Sequence, residues 1–448
     1  MYTMSSKIKL TAVILIILGA IGLIYGFVST PASVEEVSTM LADEHAAHGG
    51  DHAATSEHAM EATGNHGAEG EHAASGEHHD DEHAEHIYHQ LKNRPWSSIY
   101  TAALFFFLLA VGSFVFYALQ NAAQAGWSPI LFRVMEGIST YILPGGILVY
   151  VLLVLSSLHL NHLFIWMDPD VVAHDPIIAA KVGYLNVPFF LLRAAIYIGG
   201  WIILSWMIRK NSRKMDENYS DGLFKKNFKT NVIFLVFFIV SESMMSWDFI
   251  MSIDTHWFST LFGWFVFASM FVSGITMIAL VTIFLKSKGY LPEVNNSHIH
   301  DLAKFMFGIS VFWTYLWFSQ FLLIWYANIP EEAVYYITRI EDYNLLFFGI
   351  VAINFVFPLL VIINSDFKRV NWIVVMTGIV LLVGHYLNFY VMIMPGTVGE
   401  SWFIGFPEIG SVLLVAGIFL YVIFNGLTKA PLVAKNFPLM KESKHFHY

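Results

Sequence analysis

Long apolar runs alternate with short polar connections along most of this chain. Crossing ~30 Å of hydrocarbon takes about 20 apolar residues. Ten runs have that length, at roughly 8–28, 97–119, 131–158, 187–208, 230–253, 257–285, 305–328, 345–363, 372–394 and 409–427. Only helices and closed barrels satisfy their backbone in lipid, and runs this long predict helices, so the fold class is an all-α polytopic membrane protein. The first run is followed by the small residues of "VSTPAS", as a signal peptide would be. Its apolar stretch exceeds the usual 7–15 residues of a signal core, which predicts an uncleaved anchor.

Basic residues orient the spans. Lys7 and Lys9 precede the first. Arg209, Lys210, Arg213, Lys214, Lys225, Lys226 and Lys229 lie between the fourth and fifth. Lys286, Lys288 and Lys304 separate the sixth from the seventh, and Lys368 and Arg369 the eighth from the ninth. Lys429, Lys435, Lys441 and Lys444 follow the tenth. Ten spans put all five segments and both termini on one side, which is therefore expected to be cytoplasmic. Lys92, Arg94, Lys181 and Arg339 fall on or near the other side, and Arg193 falls within a span.

Composition agrees with this class. The 448 residues are 56% hydrophobic and 13% charged, about half the charged fraction of a soluble domain. With no cysteine, the chain can hold no disulfide, thiolate zinc site, cysteine-ligated cluster or covalently attached c-type haem. Much of the net charge of −10 comes from a single segment, residues 32–93, and nothing in the charge pattern points to nucleic acid. That segment contains "HAAHGGDHAATSEHAMEATGNHGAEGEHAASGEHHDDEHAEHIYH", with eleven of the twenty histidines. Too polar to offset the entropy of ordering, it is expected to be a mobile extracytoplasmic tether. Transient binding of Zn²⁺, Cu²⁺ or Ni²⁺ is the competing reading, but its irregular spacing specifies no metal.

Polar residues inside the spans carry the chemistry. The fifth span reads "SESMMSWDFIMSIDTHWFST" over 241–260. A carboxylate at mid-membrane costs roughly 2.5–3.5 kcal/mol even on the gentler insertion scales. Glu242 is expected near the midplane, Asp248 ~9 Å further out and Asp254 at the interface. Asp248 shares a helical face with Ser241, Met245 and Ser252, and Glu242 with Ser246 and Phe249, so this helix should be buried in two directions. Arg193 is the expected partner of one carboxylate. His385 and Asn388 lie in the ninth span, and Glu136 in the third ahead of a break at Pro144-Gly145-Gly146. Glu136, Glu242, Asp248 and His385 at graded depths suggest a proton route; ion pairing with Arg193 and simple core packing are the competing reading.

Between the third and fourth spans, "SSLHLNHLFIWMDPDVVAHDPIIAAKVGYLN" places His159 and His162 three apart, as on one helical face, with Asp168, Asp170, His174, Asp175 and Lys181 beyond them. A quinone head needs a group that hydrogen-bonds its oxygens and takes a proton, beside an apolar slot. This cluster could supply both, or could merely space two helices. No HExxH or comparable zinc spacing occurs. Only His385 is deep, so a bis-histidine haem ladder is not supported, and no redox centre is expected in this chain.

The runs "VVAHDPIIAAKVGYLNVPFFLLRAAIYIGGW", "SWDFIMSIDTHWFSTLFGWFVFASMF" and "HDLAKFMFGISVFWTYLWFSQFLLIWYANIPEE" closely resemble the ActF subunits of alternative complex III. That bacterial quinol:electron-acceptor oxidoreductase has cytochrome c among its acceptors. Its ActF subunits belong with the NrfD and polysulfide-reductase-type membrane subunits. The resemblance covers about residues 95–430 and leaves out the His-rich segment. It implies two four-helix bundles with two flanking helices. The organisation is then a 1–31 anchor, the 32–96 His- and acid-rich segment, bundles over 97–256 and 257–394, and a 395–448 tenth span with a basic tail. Implied partners are a sister NrfD-like membrane subunit, an iron–sulfur subunit, multihaem and monohaem cytochrome c subunits and often a terminal oxidase, in a bacterial inner membrane. Haems and iron–sulfur clusters would belong to those partners, and quinone or quinol would be the non-covalent cofactor. The implied proton-path residues are Glu136, Arg193, Glu242, Asp248 and His385, and the weaker quinone candidates are His159, His174 and Asp175. No turnover is expected of the chain alone. The opposing expectation is a secondary metal-ion transporter with the His-rich loop as collector and Asp248 with His385 as midplane ligands.

Overall fold

The computed structural model describes residues 2–48 and 72–447, and among these there is helix but no strand. In chain order the helices are α1 Ser6–Val28, α2 Val34–His48, α3 His72–Ala122, α4 Phe132–Ile138, α5 Ile142–Ser157, α6 Pro169–His174, α7 Pro176–Ala180, α8 Val187–Glu217 and α9 Asp221–Phe249. They continue with α10 Phe262–Ser287, α11 Asn296–Ala327, α12 Pro330–Glu341, α13 Asn344–Val351, α14 Phe357–Ile362, α15 Asn371–Val398, α16 Phe406–Leu427 and α17 Met440–Lys444. A π-helical turn, Ala352–Val356, joins α13 to α14. Ten segments are long and apolar enough to cross a membrane, among the described residues, and they coincide with the ten runs. This is an all-α polytopic membrane protein.

The spans close into two rings. Helices α3, α5, α8 and α9 pack in sequence and α9 returns to α3; α10, α11, α13–α14 and α15 do the same, with α15 returning to α10. Contacts of α10 with α3 and α9, and of α15 with α3, fuse the rings, so α3 and α10 form the shared wall. Both are almost wholly buried across their apolar windows. A helix that is apolar all round is what such a position requires.

Outside the rings, α1 lies along α16, which in turn packs on α3 and α4. Glycines permit this contact. A Cβ on Gly19 would meet the Leu414 backbone nitrogen at 2.2 Å, and one on Gly410 would meet Gly22 at 2.8 Å. Lipid supplies no hydrophobic drive between helices, so close backbone approach through small residues holds this pair by dispersion. Tyr2 meets Tyr290 and Phe424, and Asn295 donates to the Phe446 carbonyl, so both termini sit at one end of the molecule, the terminal end.

Two expectations need correction. The His-rich segment was expected to be a tether, yet its flanks are helical: α2 covers Val34–His48, and α3 begins at His72 and runs unbroken through Pro95 into the membrane span. Extension of an existing helix avoids the cost of nucleation, and the Ala- and Glu-containing sequence before Ile87 favours it. The expectation for residues 49–71 lies outside the described residues. The break in the third span comes at Ser139–Tyr141, a 3-10 turn between α4 and α5, just before Pro144. Gly145 and Gly146 do not loosen the helix. A Cβ on Gly146 would lie 2.8 Å from Ile198 and 3.2 Å from Phe107, so its role is to bring α5 against α8 and α3.

Candidate functional site: polar groups inside the two rings

In the first ring, the fifth span is buried in two directions, as its pattern predicts: Ser241, Glu242, Met245, Ser246, Asp248 and Phe249 are all buried. Asp248 is the partner of Arg193. The guanidinium donates through Nε and Nη2 to the two carboxylate oxygens at 2.8 and 2.9 Å, and Tyr197 donates to Asp248 at 3.2 Å. Arg193 also donates to the Tyr184 carbonyl, and its guanidinium lies 3.8 Å from the centre of the Tyr184 ring. Such a two-pronged pair holds both charges in one geometry.

Glu136 is likewise spent on an ion pair, at the terminal end. Arg133, three residues before it, bridges Glu136 and Asp216, and Ser212 donates to Glu136. Sequence reading missed Arg133 and Asp216. The i,i+3 spacing of Arg133 and Glu136 inside an apolar run was the available signal.

Glu242 differs. It is 3% exposed, and its carboxylate accepts a hydrogen bond from Ser246 at 3.1 Å without any salt-bridge partner among the described residues. Beside it Trp201 donates to Ser241, and about three to four helical turns toward the terminal end the side-chain oxygens of Asn227 and Asn231 have no partner among the described residues.

The second ring has its own polar interior. His385 Nδ1 lies 2.9 Å from Ser269 Oγ, and Asn388 donates to the same hydroxyl at 3.2 Å. Among the described residues His385 Nε2 has no partner, nor do the buried side-chain polar atoms of Thr276, Ser310, Trp313, Asn354 and Thr377. Buried polar groups are nearly always hydrogen-bonded, so this concentration of unpaired ones sets the second ring apart from an ordinary apolar core. Asn354 lies in the π-helical turn and packs on the helix at Gly384, beside His385; a Cβ on Gly384 would fall 2.1 Å from its Oδ1. π-turns often occur at functional sites because they re-aim one side chain. Nothing in the sequence periodicity singled out Asn354, Ser269 or Thr276, because isolated hydroxyls and amides are common in buried helices.

Farther from the termini, Arg339 is buried at the join of the rings. It donates to Asp254 at 2.8 Å and to the Val391, Met392 and Tyr335 carbonyls. Its guanidinium lies 3.3 Å from the Tyr335 ring centre, and that ring stacks on Trp257 at 3.7 Å. Burial pushes the Tyr335 phenol up to about 12. A small cavity of about 20 Å³ lies among Arg339, Gln320, Tyr335 and Asn388. That is room for about one water. A polar line thus runs from His385 through Ser269 and Asn388 to Arg339 and Asp254.

The candidates between the third and fourth spans separate. Helix α5 ends at Ser157 and His159 has a φ of 57°, so His159 and His162 do not share a helical face. The helix ends where the apolar run does, five residues before His162. His159 and His174 are exposed, and His174 Nδ1 contacts the Asp170 carbonyl. Asp175 caps α7 and pairs with His256; the Ile178 backbone N–H and the His256 ring hold its carboxyl below the usual range. A cavity of about 250 Å³ nearby is lined by Lys181, Tyr184, Trp247 and Trp257, without any of the three candidates. Lys181 donates to the Thr255 carbonyl, and burial lowers its pKa. His162 instead meets His89, with ring centroids 5.5 Å apart, in a polar cavity of about 570 Å³ that also includes Asp168, Asp342 and Glu400. Burial and the neighbouring His89 lower the pKa of His162.

Asp248 and His385 belong to different rings and share no hydrogen-bond partner. No group of three or more His, Asp or Glu side chains placed to hold a metal ion occurs among the described residues. Compared with models of protein families the chain matches none, and no curated protein matches it.

Proposed function

We propose that this chain is an integral subunit of a quinol-oxidising respiratory complex, scaffolding its membrane sector and carrying protons linked to quinol oxidation. The observation that carries this reading is the pair of buried groups without a charged partner among the described residues, Glu242 beside Ser246 in the first ring and His385 beside Ser269 in the second. Glu136, Arg193 and Asp248 act as fixed charges that hold the ends of the first ring. Glu242 and His385 exchange protons through waters. In the second ring the route passes Ser269 and Asn388 beside His385. Fixed ion pairs are poor relays, because removing a proton partner leaves the other charge buried.

The resemblance to ActF subunits supports the rest. Electrons from quinol leave through haem and iron–sulfur subunits on the face opposite the termini, with a sister membrane subunit alongside and a terminal oxidase as a further partner. The excess of Lys and Arg at the terminal end supports a cytoplasmic location for that end, in a bacterial inner membrane with the His-rich segment periplasmic.

The test is purification of the tagged protein in mild detergent, with an optical redox difference spectrum and a subunit gel. A c-type haem signal with several co-purifying subunits is expected. A colourless solitary protein, under conditions that keep other membrane complexes intact, would overturn the reading in favour of a transporter. In reconstituted complex, Glu242→Gln and His385→Leu are expected to lower the number of protons moved per electron more than the rate of quinol oxidation.

A further inference from the structure

Lys181 follows α7 at the end opposite the termini, and its ammonium donates to the Thr255 carbonyl in the connection between α9 and α10. An ammonium has three donors and no acceptor, so two donors remain. Half-buried, Lys181 forms no salt bridge among the described residues. Asp175, the carboxylate that acts on it through space, is taken by His256 and by the Ile177 and Ile178 backbone N–H groups. A charge drawn out of water is costly unless it is paired, so this site calls for a counter-ion.

The cavity beside it says what that counter-ion belongs to. Lys181 lines a space of about 250 Å³ with Tyr184, Trp247, Met251 and Phe258, and among the described residues no acidic side chain lines it. Tyr184 and Phe258 are exposed, so the cavity opens outward rather than into the bundle. Trp247 is two residues before the end of α9. Val240 and Val236, about two and three turns earlier on the same face, are 60% and 63% exposed. This apolar stripe on a spanning helix faces lipid, and the cavity stands at its outer end, where Trp and Tyr favour the membrane boundary. An occupant must bring negative charge to Lys181 and apolar chain to the stripe. A soluble anion meets only the first demand, and a zwitterionic head brings a second cation to a site that already has one.

We propose that this cavity binds an anionic phospholipid of the leaflet opposite the termini. Lys181 donates to a phosphate oxygen, and an acyl chain lies along Trp247, Val240 and Val236. The bound lipid ties the connection between α7 and α8 to the outer end of α9. The proposal does not depend on the quinol-linked reading of the chain.

The experiment is native mass spectrometry of the full-length protein in mild detergent, titrated with phosphatidylglycerol or with phosphatidylcholine of matched chains. The parent is expected to prefer phosphatidylglycerol at one site. Lys181→Met should weaken that lipid about fivefold, the contribution of one lysine beside an anionic head, and Lys181→Arg should retain it. Met251→Trp fills the cavity while keeping Lys181, so it should also weaken phosphatidylglycerol, and it tests the site should Lys181→Met fail to fold. No preference in the parent, or a preference that survives both Lys181→Met and Met251→Trp, overturns the site. Displacement of the lipid by inorganic phosphate at equal concentration overturns it in favour of a soluble anion.

Discussion

At the scale of single residues, two carboxylates six positions apart on one helix have opposite fates. Asp248 accepts three hydrogen bonds and neutralises Arg193, whereas Glu242 has Ser246. Removing one partner of a buried pair strands the other charge, at a cost of about 3–5 kcal/mol. Asp248→Asn is therefore expected to lower the thermal melting temperature in detergent sharply. Arg193→Met combined with Asp248→Leu should recover much of that loss, since no charge is then left buried. Glu242→Gln keeps the shape and the Ser246 contact, so its melting temperature should stay near that of the parent. Equal destabilisation by Glu242→Gln and Asp248→Asn would show that Glu242 has a charged partner and would remove it from the proton route.

At the scale of elements, close helix approach is set by glycines that have no room for a side chain. Gly384 faces Asn354 of the π-helical turn so closely that Gly384→Ala must displace the amide or the helix. Overpacking of this kind costs about 1–3 kcal/mol. The expected readout is a lowered melting temperature, restored in part by adding Asn354→Ala; no change in either variant would mean that the turn is not clamped there. On the flank, Gly410→Leu should loosen α1 from α16 and admit protease to the α1–α2 connection. Gly183→Ala, where a Cβ meets nothing within 4 Å, is the neutral comparison.

At the scale of the whole molecule, the absence of cysteine makes topology directly measurable. Lys441 lies in the C-terminal tail and Glu400 at the opposite end, and both are exposed. A membrane-impermeant maleimide applied to intact cells is expected to label Glu400→Cys and to spare Lys441→Cys until the cells are broken. The reverse pattern would invert the orientation and place the His-rich segment in the cytoplasm. The fused rings, with α3 and α10 as a shared wall, also predict that the two halves unfold together, as one transition in a melt followed by tryptophan fluorescence.

The sequence by itself determined the ten spans, their all-helical class and the common end of the termini, because the length of an apolar run and the backbone's need for internal hydrogen bonds leave no other solution in lipid. It also identified Arg193 and the carboxylates as an intramembrane set. Only the tertiary structure decided that Asp248 takes Arg193 and Glu136 takes Arg133, while Glu242 is left with hydroxyls. Helical periodicity says which way a side chain points along its own helix, but not which neighbouring helix stands opposite. For the same reason the polar interior around His385 and Asn354, the bracket of Arg339 on Asp254 and the cavity beside Lys181 were invisible in the pattern. Each is assembled from residues on different helices, far apart in the chain, and none acquires a chemical meaning until packing brings them together.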